Sequence, residues 1–183
     1  MSRFVHRRSI SRFAGARDGA TAIEFAIIAT PFLMLMFGII ELGMVFLVST
    51  TLQTATELAS RKIRTGEFQT SGATAKTDFL NLVCANMNWL QSDCASKLAV
   101  DVQVFPTFAA LTAAPVNDPT TFNPNNTNYA VPQASQIVLV RAYYQWTIFT
   151  PLLNAALVNE GAGSGKRLIG ATAAFQTEPY PAP

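Results

Sequence analysis

The chain has 183 residues, enough for one domain with a true core and too few for two of ordinary size beside a membrane helix. Half of its residues are hydrophobic and 13% are charged, against roughly 25% in an average soluble domain, so part of it meets something other than water. The formal charge of +2 hides an asymmetry: Arg3, Arg7, Arg8, Arg12 and Arg17 precede Ala20 with Asp18 as their one acid, and their place just ahead of an apolar run points to membrane topology and not to nucleic-acid binding.

That run, Ala22 to Val48, contains Glu24 and Glu41 as its only charges, and Phe25 to Ile40 has no ionisable group. About 20 apolar residues cross a bilayer core. The positive-inside rule then sets residues 1–19 as a cytoplasmic leader, residues 20–48 as a transmembrane helix and residues 49–183 as an extracytoplasmic domain. A cleaved secretory signal is the rival, but the run exceeds the ~7–15 residues of a typical apolar signal core, and VSTTLQTATELASRKIR continues as helix where a cleavage site would stand.

Within the span, an ionised Glu24 costs about 2.5–3.5 kcal/mol on insertion scales, so it either has a partner or reaches the cytoplasmic interface beside the positive helix N-terminus. Pro31 breaks one helical hydrogen bond and kinks the span. Gly38 and Gly43 allow a second helix to approach closely, although ordinary membrane-helix composition also explains them. Glu41 lies 17 residues after Glu24, about 100° away around a helix. The two acids are therefore not one paired site, and Glu41 is expected near the outer interface or against another subunit.

The string from Arg17 to Ala26 resembles the prepilin recognition motif of type IV filament proteins: a basic leader, a glycine, the scissile bond, and an apolar helix with glutamate as its fifth residue. More closely, Gly19-Ala20-Thr21-Ala22-Ile23-Glu24-Phe25-Ala26, then Thr30-Pro31, then Gly38-Ile39-Ile40-Glu41-Leu42-Gly43 is similar to the TadE/TadG family of tight-adherence pilus assembly proteins. The ending Phe175-Gln176-Thr177-Glu178-Pro179-Tyr180 resembles that family's F-x-x-EPY close. The resemblance implies a pseudopilin or minor pilin. Its leader would be cut between Gly19 and Ala20 by a prepilin peptidase, and Glu24 would neutralise the new amine of a neighbouring subunit. Phe25, Pro31, Gly38, Glu41 and Gly43 would make helix contacts with other pilins, pseudopilins and assembly-platform proteins. An unprocessed single-pass scaffold and an envelope binding module are the alternatives.

Beyond the span, Leu52, Ala55, Leu58, Ala59 and Ile63 form an apolar stripe, which predicts that the helix continues amphipathically to a stop near Thr65-Gly66. A second helix is expected from about Thr74 to Leu90. Leu98 to Phe105 alternates as a strand with one buried face, Asp101 and Gln103 outward. Phe108 to Gln133 reads as a long surface loop, mobile in preference to a contact site. Ile137 to Phe149 is the strongest strand, followed by a short helix at Leu152 to Asn159 and a last strand at about Arg167 to Gln176. The class is α+β: one N-terminal transmembrane helix continuing as a long amphipathic helix packed on a small antiparallel sheet, as in pilins.

No catalytic site, cofactor or metal site is expected. The lone His6 lies in the leader, so no hydrolase triad can form outside, and the outer carboxylates make no recognisable acid–base pair. Gly161 to Lys166 lacks the Walker pattern, because Glu160 stands in place of the first glycine and Arg167 follows the lysine. Cys84 and Cys94, outside the cytoplasm, read most simply as a disulfide, with free thiols or a metal as weaker readings. Tyr143, Tyr144 and Trp146 read as core packing in preference to an aromatic binding face, since alternate strand residues point oppositely and half of them would be core.

Overall fold

The computed structural model describes residues 18–150, 153–161 and 163–180. The basic leader, apart from its last two residues, lies outside the described residues. The first element, α1, is one helix, Asp18–Arg64. The chain divides into two units, one ending at Ile40 and the other beginning at Glu41, seven residues before the apolar run ends.

In the outer unit α1 buries a stripe made of Glu41, Val48, Leu52, Ala55, Thr56, Ala59, Ser60 and Ile63. Leu58 was expected on that stripe and is 47% exposed. At 100° per residue it sits about 120° from Leu52, whereas Thr56 lies only about 40° away. Position outranks polarity here, because the buried Thr56 hydroxyl donates to Leu52 O at 2.7 Å and so needs no outside partner. The helix stops as expected, with Gly66 at φ 78°. A Cβ on Gly66 would fall 2.4 Å from Cγ of Tyr180, so the C-terminal segment lies directly on the turn.

The second helix is shorter than expected. After α2 (Glu67–Thr70), α3 spans Lys76–Ala85. Asn86 then ends it, its side-chain amide donating to Leu82 O at 2.8 Å. A 3-10 turn, Asn88–Leu90, with Asn88 at φ 49°, leads into a further helix, α4 (Gln91–Lys97). The reversal brings Cys84 and Cys94 together as a disulfide. Phe79, Val83, Met87 and Leu90 join the α1 stripe in one core.

Three strands, β1 (Leu98–Phe105), β2 (Ile137–Thr147) and β3 (Lys166–Gln176), form an antiparallel sheet in that order. Between β2 and β3 the short helix α5 covers Asn154–Leu157, and Leu152, where it was expected to begin, lies outside the described residues. Val102 pairs with Val140, and Val140 with Ala173. Val100, Val102, Val138, Val140, Tyr144 and Trp146 face the helices, which is the α+β arrangement the sequence predicts. Tyr143, on the opposite face, stacks against Phe122 with centroids 5.1 Å apart.

The outer face is covered too. Asp101 was expected in solvent; it is buried, its carboxylate accepting from Asn128 N at 2.7 Å and Gln103 Nε2 at 2.8 Å, with Arg141 Nη1 at 4.0 Å. The guanidinium of Arg141 also donates to Pro115 O. The segment expected to be mobile is therefore fastened. It forms 3-10 turns at Phe108–Ala113, Pro119–Thr121 and Pro124–Asn126, and it pairs with the free edge of β1 through Val102 N to Asn128 O (3.0 Å) and Ala130 N to Val102 O (2.9 Å). Satisfying an otherwise open strand edge is the physical reason.

Candidate subunit-contact helix and processing site

Residues 18–40 of α1 carry the sequence-predicted processing and contact positions. Gly19 lies in the first helical turn, where a Cβ would meet nothing within 4 Å among the described residues. Glu24 is exposed and has no hydrogen-bond or ion-pair partner among the described residues. Phe25, Ile27, Ile28, Phe32 and Leu35 are exposed around it. Pro31 sits inside the helix, and next to it the Thr30 hydroxyl donates to Ala26 O at 2.7 Å.

Glu24, Pro31 and Gly38 recur every seven residues. An ideal helix drifts about 20° per heptad, so these three positions share one face within about 40°. A seven-residue stripe is the spacing that lets a second helix pack alongside. Gly43 is exposed, and a Cβ there would also meet nothing within 4 Å.

Glu41 behaves differently. It is 4% exposed, and its Oε2 accepts three hydrogen bonds from its own chain: Phe149 N (3.2 Å), Thr150 N (3.2 Å) and the Thr150 hydroxyl (3.1 Å). Its Oε1 is buried without a partner among the described residues. The carboxylate, expected near the outer interface or against another subunit, is engaged by Phe149 and Thr150 of its own chain, just after β2. Partners 108 and 109 residues away carry no signal in a local sequence window.

The other sequence motif, at the C-terminus, forms a clasp at the far end of the same helix. Glu178 N donates to Arg64 O at 2.8 Å, and the two side chains approach to 3.7 Å. The Tyr180 hydroxyl donates to Pro132 O at 3.0 Å, and burial raises its pKa. The Thr177 hydroxyl bridges Gln133 O and Gln136 N. The C-terminal motif thus satisfies the last carbonyl of α1 and ties it to the start of β2, while Glu41 ties the same helix to the end of β2.

Two hollows in the outer unit offer little chemistry. One, of about 570 Å³, is bounded by Thr120, Asn154, Val158, Asn159 and the glycine turn, with no titratable lining residue. The other, of about 410 Å³, lies between Leu58, Arg61 and Arg64 of α1 and Ala173 and Phe175 of β3. Among the described residues no three His, Cys, Asp or Glu side chains are placed to hold a metal.

Among the described residues one helix is long and apolar enough to cross a membrane, and only 11% of its most apolar window is buried, unlike the core helix of a soluble domain. The class so defined is an α+β protein carried on a single membrane-spanning helix. Residues 19–61 match the family model of the TadE-like proteins, which bears out the resemblance read from Gly19 to Gly43. The match covers helix α1 and stops before the sheet. No curated protein and no solved structure matches the chain.

Proposed function

We propose that the protein is a TadE-like pseudopilin or minor pilin that assists assembly of a tight-adherence pilus. It sits in the cytoplasmic membrane with its α+β domain in the periplasm. A prepilin peptidase cuts between Gly19 and Ala20, and the mature helix acts through contacts with pilins, pseudopilins and platform proteins. The observation that carries this reading is an apolar helix segment, within the TadE-like match, whose surface the described residues leave uncovered and among which Glu24 has no partner. An unpaired carboxylate in lipid is costly, and the amine created at Ala20 of a neighbouring subunit would supply its counter-charge.

The role proposed for Glu24, Phe25, Pro31, Gly38 and Gly43 is helix-to-helix contact; Glu41 contributes by holding the domain to the helix. N-terminal sequencing of the detergent-extracted protein tests processing and is expected to begin at Ala20; a chain beginning at Met1 would refute it. Glu24→Ala is expected to insert normally and to impair pilus assembly. Unimpaired piliation removes Glu24 from the mechanism.

A further inference from the structure

We propose that the end of the outer domain carrying Phe149, Trp89 and Lys166 is a lipid-docking surface, seated in the outer leaflet beside α1. The proposal rests on the membrane-anchored reading above and adds a second contact with the bilayer.

The depth of this surface follows from Glu41. Its carboxylate accepts from the backbone of Phe149 and Thr150, which sets the end of β2 level with residue 41 of the helix. Above that level the outward side of α1 stays apolar, since Leu42, Phe46 and Leu47 are all exposed. The first exposed polar residue is Thr50, about 13 Å further along at 1.5 Å per residue. If lipid covers the exposed apolar residues of the helix up to Leu47, it also reaches Phe149.

The residues at that end have the matching chemistry. Phe149 is 70% exposed and Trp89 46% exposed. They flank Trp146, with ring centroids 5.6 Å and 6.2 Å away, so the three rings form one continuous aromatic row. Lys166 pairs with Thr147 at the same end of the sheet, and its ammonium has no carboxylate within ion-pair distance among the described residues. Exposed aromatic rings are what a headgroup region selects, and a cation at the same end of the sheet suits lipid phosphates. The arrangement also accounts for an acid inside an apolar run: the docked domain supplies Glu41 with donors that lipid lacks.

The test uses the full chain in nanodiscs of phosphatidylcholine and phosphatidylglycerol, one copy per disc, with bromine on the upper acyl carbons as quencher. The chain has two tryptophans, and Trp146 is buried. Brominated lipid is expected to lower the Trp89 emission, taken as the difference from Trp89→Phe, by at least about twofold, as for an interfacial aromatic. Phe149→Trp in the Trp89→Phe background keeps an aromatic at the second position and is expected to respond the same way. Retention of the chain after an alkaline carbonate wash, with both positions unquenched, would overturn the docking and leave the anchor standing. Release by carbonate would overturn both. Shielding of the rings only in discs holding two copies would assign the patch to a second copy and overturn the lipid contact.

Discussion

Gly66→Ala tests the clasp that closes the long helix. At φ 78° an L-residue costs about 1–2 kcal/mol, and the new methyl would lie 2.4 Å from Tyr180 Cγ, a separation no side chain accepts without moving. Tyr180 would be expelled, losing its packing and the hydroxyl's bond to Pro132 O, together about 2 kcal/mol. The single substitution is therefore expected to cost roughly 3–4 kcal/mol, or ~10 °C in Tm for a domain of this size. Tyr180→Ala alone removes only the second part. In the double variant the ring is already gone, so its loss should about equal that of Gly66→Ala alone, leaving a coupling of ~2 kcal/mol. Urea unfolding of the full chain in detergent, followed by circular dichroism, measures all three. Additive costs would refute the claim that Tyr180 seats on Gly66.

Three further outcomes follow from the outer domain. Asp101→Ala strips acceptors from Asn128 N and Gln103 and leaves Arg141 partly buried without its carboxylate, so it should cost about 3–5 kcal/mol and expose residues 107–133 to limited proteolysis; an unchanged urea midpoint would count against the pin. Reducing the Cys84–Cys94 disulfide should cost roughly 2–3 kcal/mol, read as a lower denaturation midpoint in dithiothreitol. Burial, aided by Asp78, pushes Tyr129 up to about 12. The unfolded chain therefore releases this proton first, and stability present below pH ~10 should fall as pH rises towards 12, a dependence that Tyr129→Phe weakens. Stability profiles of the two proteins that stay parallel across that window would refute this.

The span, the helix stop at Gly66, the three strands, the cysteine pair and the TadE-like string were all readable, because each depends on neighbours within a few positions: unbroken hydropathy, a left-handed glycine, two-residue alternation, fixed spacing. The break after Ala85 was not, since Phe79, Val83 and Met87 keep a helical period across it and the turn is decided by Asn86 and Asn88. Leu58 is apolar, but its angle around the helix, about 120° from Leu52, carries it off the buried stripe.

Burial of Asp101 and the fastening of residues 107–133 required knowing that one loop returns to the edge of β1. Glu41 is the sharpest instance. In the sequence it is one acid in an apolar helix, expected near the outer interface or against another subunit. By itself the sequence determined that one segment is apolar and long enough to enter a membrane, because a bilayer responds to the composition of one continuous segment. Only the tertiary structure decided that the end of β2 meets Glu41 and that the last residues close over Arg64, because hydrogen bonds between segments a hundred residues apart depend on how the intervening chain folds.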